Sequence, residues 1–286
     1  MIKKKVTKMI AACMMTAVLF SSVSVDVHAE EPRTTMRETE PNDTKAMAEL
    51  IQANKDTAVN YVSGSLDGRF EVTGETSETD PDWFKVYLTG GTQYMTCYLK
   101  PFHFVIEDEA GNELYQNTYT FVEADRRGRT GYEFHVPSAG YYYVKVSGCS
   151  LFSTQYEFTI GNPTYYASSC EIPCTEGSIS MTSSTRIKSA HFNGESMTTI
   201  PEDAIAYEVS LKGLKATSAK SARLKNNKSG RSVELVKYSW RKSDLESMNM
   251  KVESMWTVDL EYEKAASFTP TLKIYYVYPV YSATIE

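Results

Sequence analysis

Two acidic segments of the chain carry the residues with the clearest chemistry. The first supplies Glu38, Glu40, Asn42 and Asp43, and the second supplies Asp80 and Asp82 just before an apolar run. Five carboxylates brought together repel one another unless a hard cation lies between them, and calcium takes about six to eight oxygen ligands. The pattern therefore predicts a calcium site formed by these six residues. The alternative is that the first acidic segment is a solvent-exposed stretch without a bound ion and that Asp80 and Asp82 lie in an ordinary turn.

Residues that commonly perform catalysis are sparse in this sequence. Downstream of residue 29 the histidines are His103, His135 and His191, and the first two fall in predicted strands. The sequence contains neither a G-x-S-x-G nucleophile elbow nor an H-E-x-x-H zinc pair. A glycosidase needs only two carboxylates, but spacing alone does not place a pair across a cleft. We therefore predict no catalytic residues, with a secreted hydrolase as the less favoured alternative.

Residues 1–29 have the pattern of a secretory signal peptide. Four lysines precede an apolar run from Met9 to Phe20, and a small residue, Ala29, ends a cleavage site. The run is too short to span a bilayer, which disfavours a membrane anchor. A lipoprotein is disfavoured because Cys13 lies inside the run. We expect a secreted protein whose mature chain begins at Glu30, without a stable membrane anchor.

Charge is divided unevenly along the chain. Residues 30–174 carry 11 basic and 22 acidic side chains, whereas residues 175–286 carry 15 and 13. An acidic first part suits cations, so we expect no nucleic-acid partner. The change in charge coincides with a stretch rich in Pro, Ser and Thr, which marks a domain boundary. After the signal peptide (1–29), the predicted order is a first domain over 30–161, a linker over 162–178 and a second domain over 179–286.

Alternating apolar residues between about 60 and 160 predict short antiparallel strands. Examples are Phe84, Val86 and Leu88 on one strand, and Met95, Cys97 and Leu99 on the next. Tight turns rich in Gly and Pro separate the runs. Strands this short at this spacing predict a β-sandwich, and only residues 43–52 suggest a helix.

The second half also reads as strands. Ile205, Tyr207, Val209 and Leu211 are expected on one face of one strand, and Trp256, Val258 and Leu260 on one face of another. We predict a second β-sandwich that belongs to no family we can name. The fold class is therefore all-β, with two sandwich domains.

Four cysteines lie downstream of the signal peptide, and an even number in an exported chain permits disulfides. The spacing favours a Cys170–Cys174 pair and, second, a Cys97–Cys149 pair. The alternative is that all four thiols are free. A zinc site is disfavoured, because no second close cysteine pair and no neighbouring histidine are present.

Several motifs together resemble the bacterial pre-peptidase C-terminal domain family. They are the run Glu38 to Thr44, the run Gly64 to Leu66, the run Asp80 to Val86, Ala110 to Asn112, the run Pro137 to Val146, and Tyr156 to Phe158. The resemblance covers about residues 38–161 and implies a jelly-roll sandwich that is non-catalytic. The similar collagen-binding domains of clostridial collagenases bind calcium, which implies that the acidic residues named above are the ligands. No protease domain precedes the motifs, so a role tied to a protease is not implied.

Two surfaces are candidates for binding. Strand alternation sends Tyr142 inward and leaves Tyr141 and Tyr143 outside, where exposed tyrosines can stack on sugars or proteins. The run from Lys212 to Arg231 is basic and could contact an anionic cell-wall polymer.

We expect a secreted binding protein that binds a protein or glycan at the cell exterior. The alternative is a structural or assembly component of the cell surface.

Overall fold

The computed structural model describes residues 34–120, 129–201, 203–214, 219–236, 239–241 and 249–280. The chain is all-β, as the sequence predicts. The predicted signal peptide and Cys13 lie outside the described residues.

The described part of the first half, residues 34–120 and 129–161, contains ten strands, one α-helix and one 3-10 helix. The strands are β1 (Thr34–Arg37), β2 (Glu49–Ile51), β3 (Phe70–Thr76), β4 (Asp82–Leu88), β5 (Gly91–Leu99), β6 (Phe102–Glu107), β7 (Glu113–Tyr119), β8 (Thr130–Val136), β9 (Gly140–Gly148) and β10 (Thr154–Gly161). The 3-10 helix spans Lys45–Met47 and helix α1 spans Ala58–Ser63.

These strands form two five-stranded sheets. Sheet A has the order β1-β3-β10-β5-β8, and sheet B has the order β2-β4-β9-β6-β7. The eight strands from β3 to β10 are divided between the two sheets, and each sheet contains four of them in antiparallel order. Buried apolar side chains from both sheets form one core, which includes Phe84, Phe104, Tyr132, Val144 and Phe158.

The first two strands are additions to the sheet edges. β1 pairs in parallel with β3, and β2 pairs in parallel with β4. The segment between them, residues 38–48, therefore crosses from one sheet to the other. We call it the crossing segment.

The second half contains the remaining ten strands. They are β11 (Tyr165–Pro173), β12 (Ile179–Met181), β13 (Ile187–Asn193), β14 (Ile205–Lys212), β15 (Ala219–Asn226), β16 (Ser232–Glu234), β17 (Ser239–Arg241), β18 (Met255–Tyr262), β19 (Ala266–Phe268) and β20 (Thr271–Pro279). Their sheets have the orders β11-β20-β14-β17, β13-β18-β15-β16 and β12-β19. A second buried cluster, centred on Trp256, lies between them.

The structure differs from the sequence-based expectation at the predicted helix. Residues 43–52 form only the 3-10 helix and β2, whereas the α-helix lies later, over Ala58–Ser63. The Thr57 hydroxyl caps that helix by accepting from the Asn60 amide at 3.1 Å, and Gly64 ends it at φ 76°. These two residues were the available sequence signal for the helix.

The predicted linker also differs, because residues 165–173 form β11 and pair with β20 along their whole length. The middle of β11 is polar and solvent-exposed, so its sequence shows no alternation. The domain boundaries themselves stay a prediction.

Two predicted strand faces are interrupted. A register shift between Ala206 and Glu208 turns Ala206 inward with Val209 and leaves Tyr207 half-buried. Leu99 does not share the buried face of Met95, because its φ of 67° turns the side chain outward.

The predicted disulfides are wrong, since Cys97, Cys149, Cys170 and Cys174 are all free thiols. Cys170 and Cys174 are four residues apart on and just beyond an extended strand. At about 3.3 Å per residue their Cα atoms are separated by roughly 13 Å, well beyond disulfide reach. Cys97 is buried in the core, whereas Cys149 is exposed.

Among the described residues, no helix has the length and apolar character needed to cross a bilayer.

The second core predicts that truncating Trp256, its largest fully buried side chain, strongly lowers the stability of the fold. Trp256 is fully buried, and its indole N–H donates to the Val252 carbonyl at 3.0 Å. We expect Trp256→Ala to lower the free energy of unfolding by about 3–5 kcal/mol, measured by urea denaturation. Ile187→Ala is the control, because Ile187 is exposed. Equal effects of the two substitutions would contradict this assignment of the core.

Candidate metal centre

The crossing segment is held against both sheets by backbone hydrogen bonds. The Glu38 amide donates to the Thr73 carbonyl of β3, and the Trp83 amide of β4 donates to the Asn42 carbonyl, both at 2.9 Å. Asp82 is the first residue of β4, and Asp80 lies in the turn that precedes it. Two regions distant in sequence therefore meet at one end of the sandwich.

The structure brings the five predicted carboxylates into two overlapping groups. Oxygens of Glu38, Glu40 and Asp82 lie within 4.8 Å of one another. Oxygens of Glu40, Asp43 and Asp80 do so as well, and all three of these side chains are exposed. Glu40 belongs to both groups. Such a set of hard oxygen donors has the chemistry of a calcium site.

Two buried polar side chains at this place are incompletely hydrogen-bonded. Asn42 and Asp82 are each fully buried; the amide atoms of Asn42 have no hydrogen-bond partner, and the Tyr156 hydroxyl beside the Asp82 carboxylate donates its proton to Glu38. Buried polar groups are almost always paired, so incompletely paired ones require an explanation. An ion bound by the Asn42 amide oxygen and the Asp82 carboxylate would satisfy these oxygens. The residues present therefore fit a divalent cation.

Three further residues shape the centre, and the sequence analysis did not identify them. The Tyr156 hydroxyl donates to Glu38, and the Glu75 amide donates to the other Glu38 oxygen at 2.5 Å. Gly74 lies so close to the Glu38 carboxylate that an added Cβ would collide with it. Nothing in their types or spacing indicated these roles, because they lie on strands that meet Glu38 only in the folded sheet.

Burial and mutual repulsion raise the pKa values of three carboxylates in the centre. Burial, together with the negative charge of Glu38, raises the pKa of Asp82 to about 8. Burial also raises the pKa of Glu38 and, with the nearby Asp80 and Asp43 carboxylates, that of Glu40. Without a cation, the ionised form of Asp82 is disfavoured at neutral pH.

This shift predicts how the metal-free protein responds to pH. Unfolded Asp82 ionises near pH 4, whereas folded Asp82 holds its proton up to about pH 8. Between these values the folded state binds the extra proton, so stability falls as pH rises, by at most about 1.4 kcal/mol per pH unit. Thermal melts in EGTA from pH 5 to 8 should show this fall. Asp82→Asn should flatten it, and an unchanged slope in this variant would contradict the assignment.

The outer face of sheet B carries aromatic and lysine side chains. We call Trp83, Lys85, Tyr87, Tyr141, Tyr143 and Lys145 the aromatic face. Tyr87 and Tyr141 make an edge-to-face contact with ring centroids 5.4 Å apart. The Lys85 ammonium lies 4.6 Å from the Tyr141 ring and 5.3 Å from the Tyr143 ring. The prediction that Tyr142 points inward is confirmed, since it is buried while Tyr141 is 40% exposed.

The basic run from Lys212 to Arg231 is largely paired with acids. Lys212, Lys220, Arg223 and Lys228 form ion pairs with Glu171, Glu261, Glu234 and Glu253 of neighbouring segments. Lys215 lies outside the described residues. Neutralised charges attract a polyanion less, so this run has less basic character than its sequence indicates.

A thiol, a carboxylate and a histidine also meet in the second half. The Cys174 thiol donates to Glu176 at 3.0 Å, and the Glu176 carboxylate contacts the His191 ring. Burial and the hydrogen bond to Glu176 raise the pKa of Cys174 to about 11. A nucleophilic cysteine needs a lowered pKa and an adjacent base, so this arrangement does not activate the thiol.

Comparison with known proteins adds fold likenesses only. No protein-family model and no curated protein matches the sequence. A protein from Eubacterium rectale described as secreted aligns over 85% of both chains, at 12% identity and a TM-score of 0.44. The pre-peptidase C-terminal domain of a Bacillus anthracis collagenase aligns with 43% of this chain and 99% of its own, at 13% identity and a TM-score of 0.29. A periplasmic inhibitor of g-type lysozyme from Salmonella Typhimurium aligns with 40% of this chain and 96% of its own, at 13% identity and a TM-score of 0.26. We draw no conclusion about function from similarities this low.

Proposed function

We propose that this protein is a secreted, non-catalytic binding protein whose first half is stabilised by calcium. The observation that carries the proposal is the pair of buried, incompletely hydrogen-bonded side chains Asn42 and Asp82 beside the exposed carboxylates. A buried carboxylate must either keep a proton or meet a cation. Glu38, Glu40, Asn42, Asp43, Asp80 and Asp82 would hold the ion. It would tie the crossing segment to the start of β4.

The ligand would bind at the aromatic face. Tyr87 and Tyr141 are large and solvent-exposed, and they lie next to Trp83 and Lys85 on adjacent central strands. Such rings can stack on sugars or pack against protein side chains. The ligand is therefore a protein or glycan at the cell exterior, and the basic run is a lesser candidate for anionic cell-wall polymer. The order of the motifs within residues 38–161 supports assigning the first half to the pre-peptidase C-terminal domain family.

A structural role in cell-surface assembly is the second candidate. In the described part of the chain, each sheet ends in strands that pair on one side, and such edges can pair with other surface proteins. This role would give no soluble ligand in a binding screen. A hydrolase is the least supported alternative, because the thiol–carboxylate–histidine contact of Cys174, Glu176 and His191 lacks an activated nucleophile.

Calcium titration tests the metal proposal directly. We expect binding in the micromolar to millimolar range, and a gain of about 2.7 kcal/mol in stability at roughly a hundredfold excess over Kd. Asp82→Asn and Asn42→Ala should each weaken binding by at least about tenfold, measured by isothermal titration calorimetry.

Glu113→Gln is the matched control, because Glu113 is an exposed acid on β7 that belongs to neither carboxylate group. The Asp82→Asn protein should stay folded without metal, since a neutral amide replaces a carboxyl that is already protonated in the metal-free state. A flat titration of the metal-stripped natural protein would refute the calcium site.

Arrays of glycans and matrix proteins test the ligand proposal. Tyr141→Ala should reduce affinity for any captured ligand by about 2 kcal/mol, the scale of an aromatic hot spot. Tyr275→Ala is the control, because Tyr275 also lies under a lysine, with Lys273 at 4.8 Å from its ring. If both substitutions had the same effect, the aromatic face would not be the binding surface.

A further inference from the structure

The turn between β9 and β10 exposes two adjacent large apolar side chains. Leu151 is 71% exposed and Phe152 is 81% exposed. Single exposed apolar residues are ordinary on protein surfaces, but two neighbours in the loop that joins the two sheets make a compact apolar projection. We call Leu151 and Phe152 the apolar tip.

The apolar tip lies at the same end of the sandwich as the candidate metal centre. The Glu78 amide donates to the Ser150 carbonyl at 2.9 Å, so the β9–β10 loop packs against the turn that contains Asp80. The Ser153 hydroxyl donates to the Glu75 carboxylate at 3.3 Å, and the Glu75 amide bonds Glu38. The apolar tip and the carboxylates are therefore fixed relative to each other.

A third apolar side chain extends this end. Leu99 closes β5, is 43% exposed, and lies opposite Tyr156 of β10 in the ladder. Its φ of 67° points it out of the core. Leucine rarely adopts this backbone conformation, and here it exposes an apolar side chain next to the β10 strand that follows the tip.

The exposed carboxylates set the electrostatic condition at this end. The six proposed ligands offer one oxygen each, whereas calcium takes about six to eight, so up to about two positions would remain. Because Glu40, Asp43 and Asp80 are exposed, a remaining position would face solvent, where a phosphate oxygen could coordinate the ion. Without an ion, the carboxylates would repel any anionic surface.

We propose that this end of the molecule docks on an anionic phospholipid membrane when calcium is bound. Leu151 and Phe152 enter the interface between headgroups and acyl chains, and lipid phosphate oxygens complete the coordination of calcium. A soluble phosphate polymer would offer the same oxygens but would leave the apolar tip in water, so lipid is favoured. This inference rests on the proposed calcium site and adds a membrane partner to it.

Vesicle co-sedimentation of the full chain tests the inference. With millimolar calcium, the protein should sediment with mixed phosphatidylcholine and phosphatidylserine vesicles. It should remain in solution with EGTA or with phosphatidylcholine alone. Replacing both tip residues, Leu151→Ser with Phe152→Ser, should lower the partition coefficient by more than about tenfold. The matched control is Ile187→Ser with Val236→Ser, since both residues are similarly exposed in the second half.

Calcium binding measured by calorimetry without vesicles separates the two proposals. If calcium binds but vesicles do not sediment the protein, the membrane inference is wrong and the calcium site stands. If calcium does not bind, the proposed function fails first. Vesicle binding that persists in EGTA, or that survives the tip substitutions, would overturn the inference. Calcium-dependent dimerisation abolished by the same substitutions would also overturn it, since the tip would then contact a second copy.

Discussion

The first half of the molecule depends on how it accommodates one buried carboxylate. Asp82 is removed from solvent, lies beside Glu38 and Glu40, and shares with Glu38 the hydroxyl of Tyr156. Burying an ionised carboxylate is costly, so the group must be neutralised by a proton or by a cation. Its raised pKa shows that protonation neutralises Asp82 when no cation is bound. The surrounding carboxylate and amide oxygens are the ligands that a neutralising calcium ion would need.

The position of Asp82 explains why this choice affects the fold. It begins β4, and the next residue, Trp83, holds the crossing segment through Asn42. That segment joins two edge strands, β1 and β2, and each of them pairs with only one neighbour. An edge strand held by one ladder frays readily, so an ion at the crossing would stabilise both sheet edges at once.

The same strand connects the proposed metal centre to the proposed ligand surface. β4 starts with Asp82 and then alternates, with Phe84 and Val86 in the core and Trp83, Lys85 and Tyr87 outside. Because β4 pairs with β9, an ion that fixed the start of β4 would also keep the β4 and β9 side chains of the aromatic face aligned with each other. The second half has a separate core that includes Trp256. Several basic side chains of its Lys212–Arg231 run form ion pairs within the fold.

Local sequence determined the fold class and the choice of acidic residues. Alternation at Phe84, Val86 and Leu88 fixed an inward face, and the acidic spacing around Pro41 and Pro81 singled out six donors. Sequence could not reveal Tyr156, Glu75 or Gly74 at the centre, because strand pairing between β3 and β10 brings them to Glu38. It also misjudged β11, Leu99 and the cysteines, where a partner strand, a positive φ and the extended distance between residues decided the outcome. Patterns along the chain report local periodicity, whereas contacts between distant strands exist only once the sheets have formed.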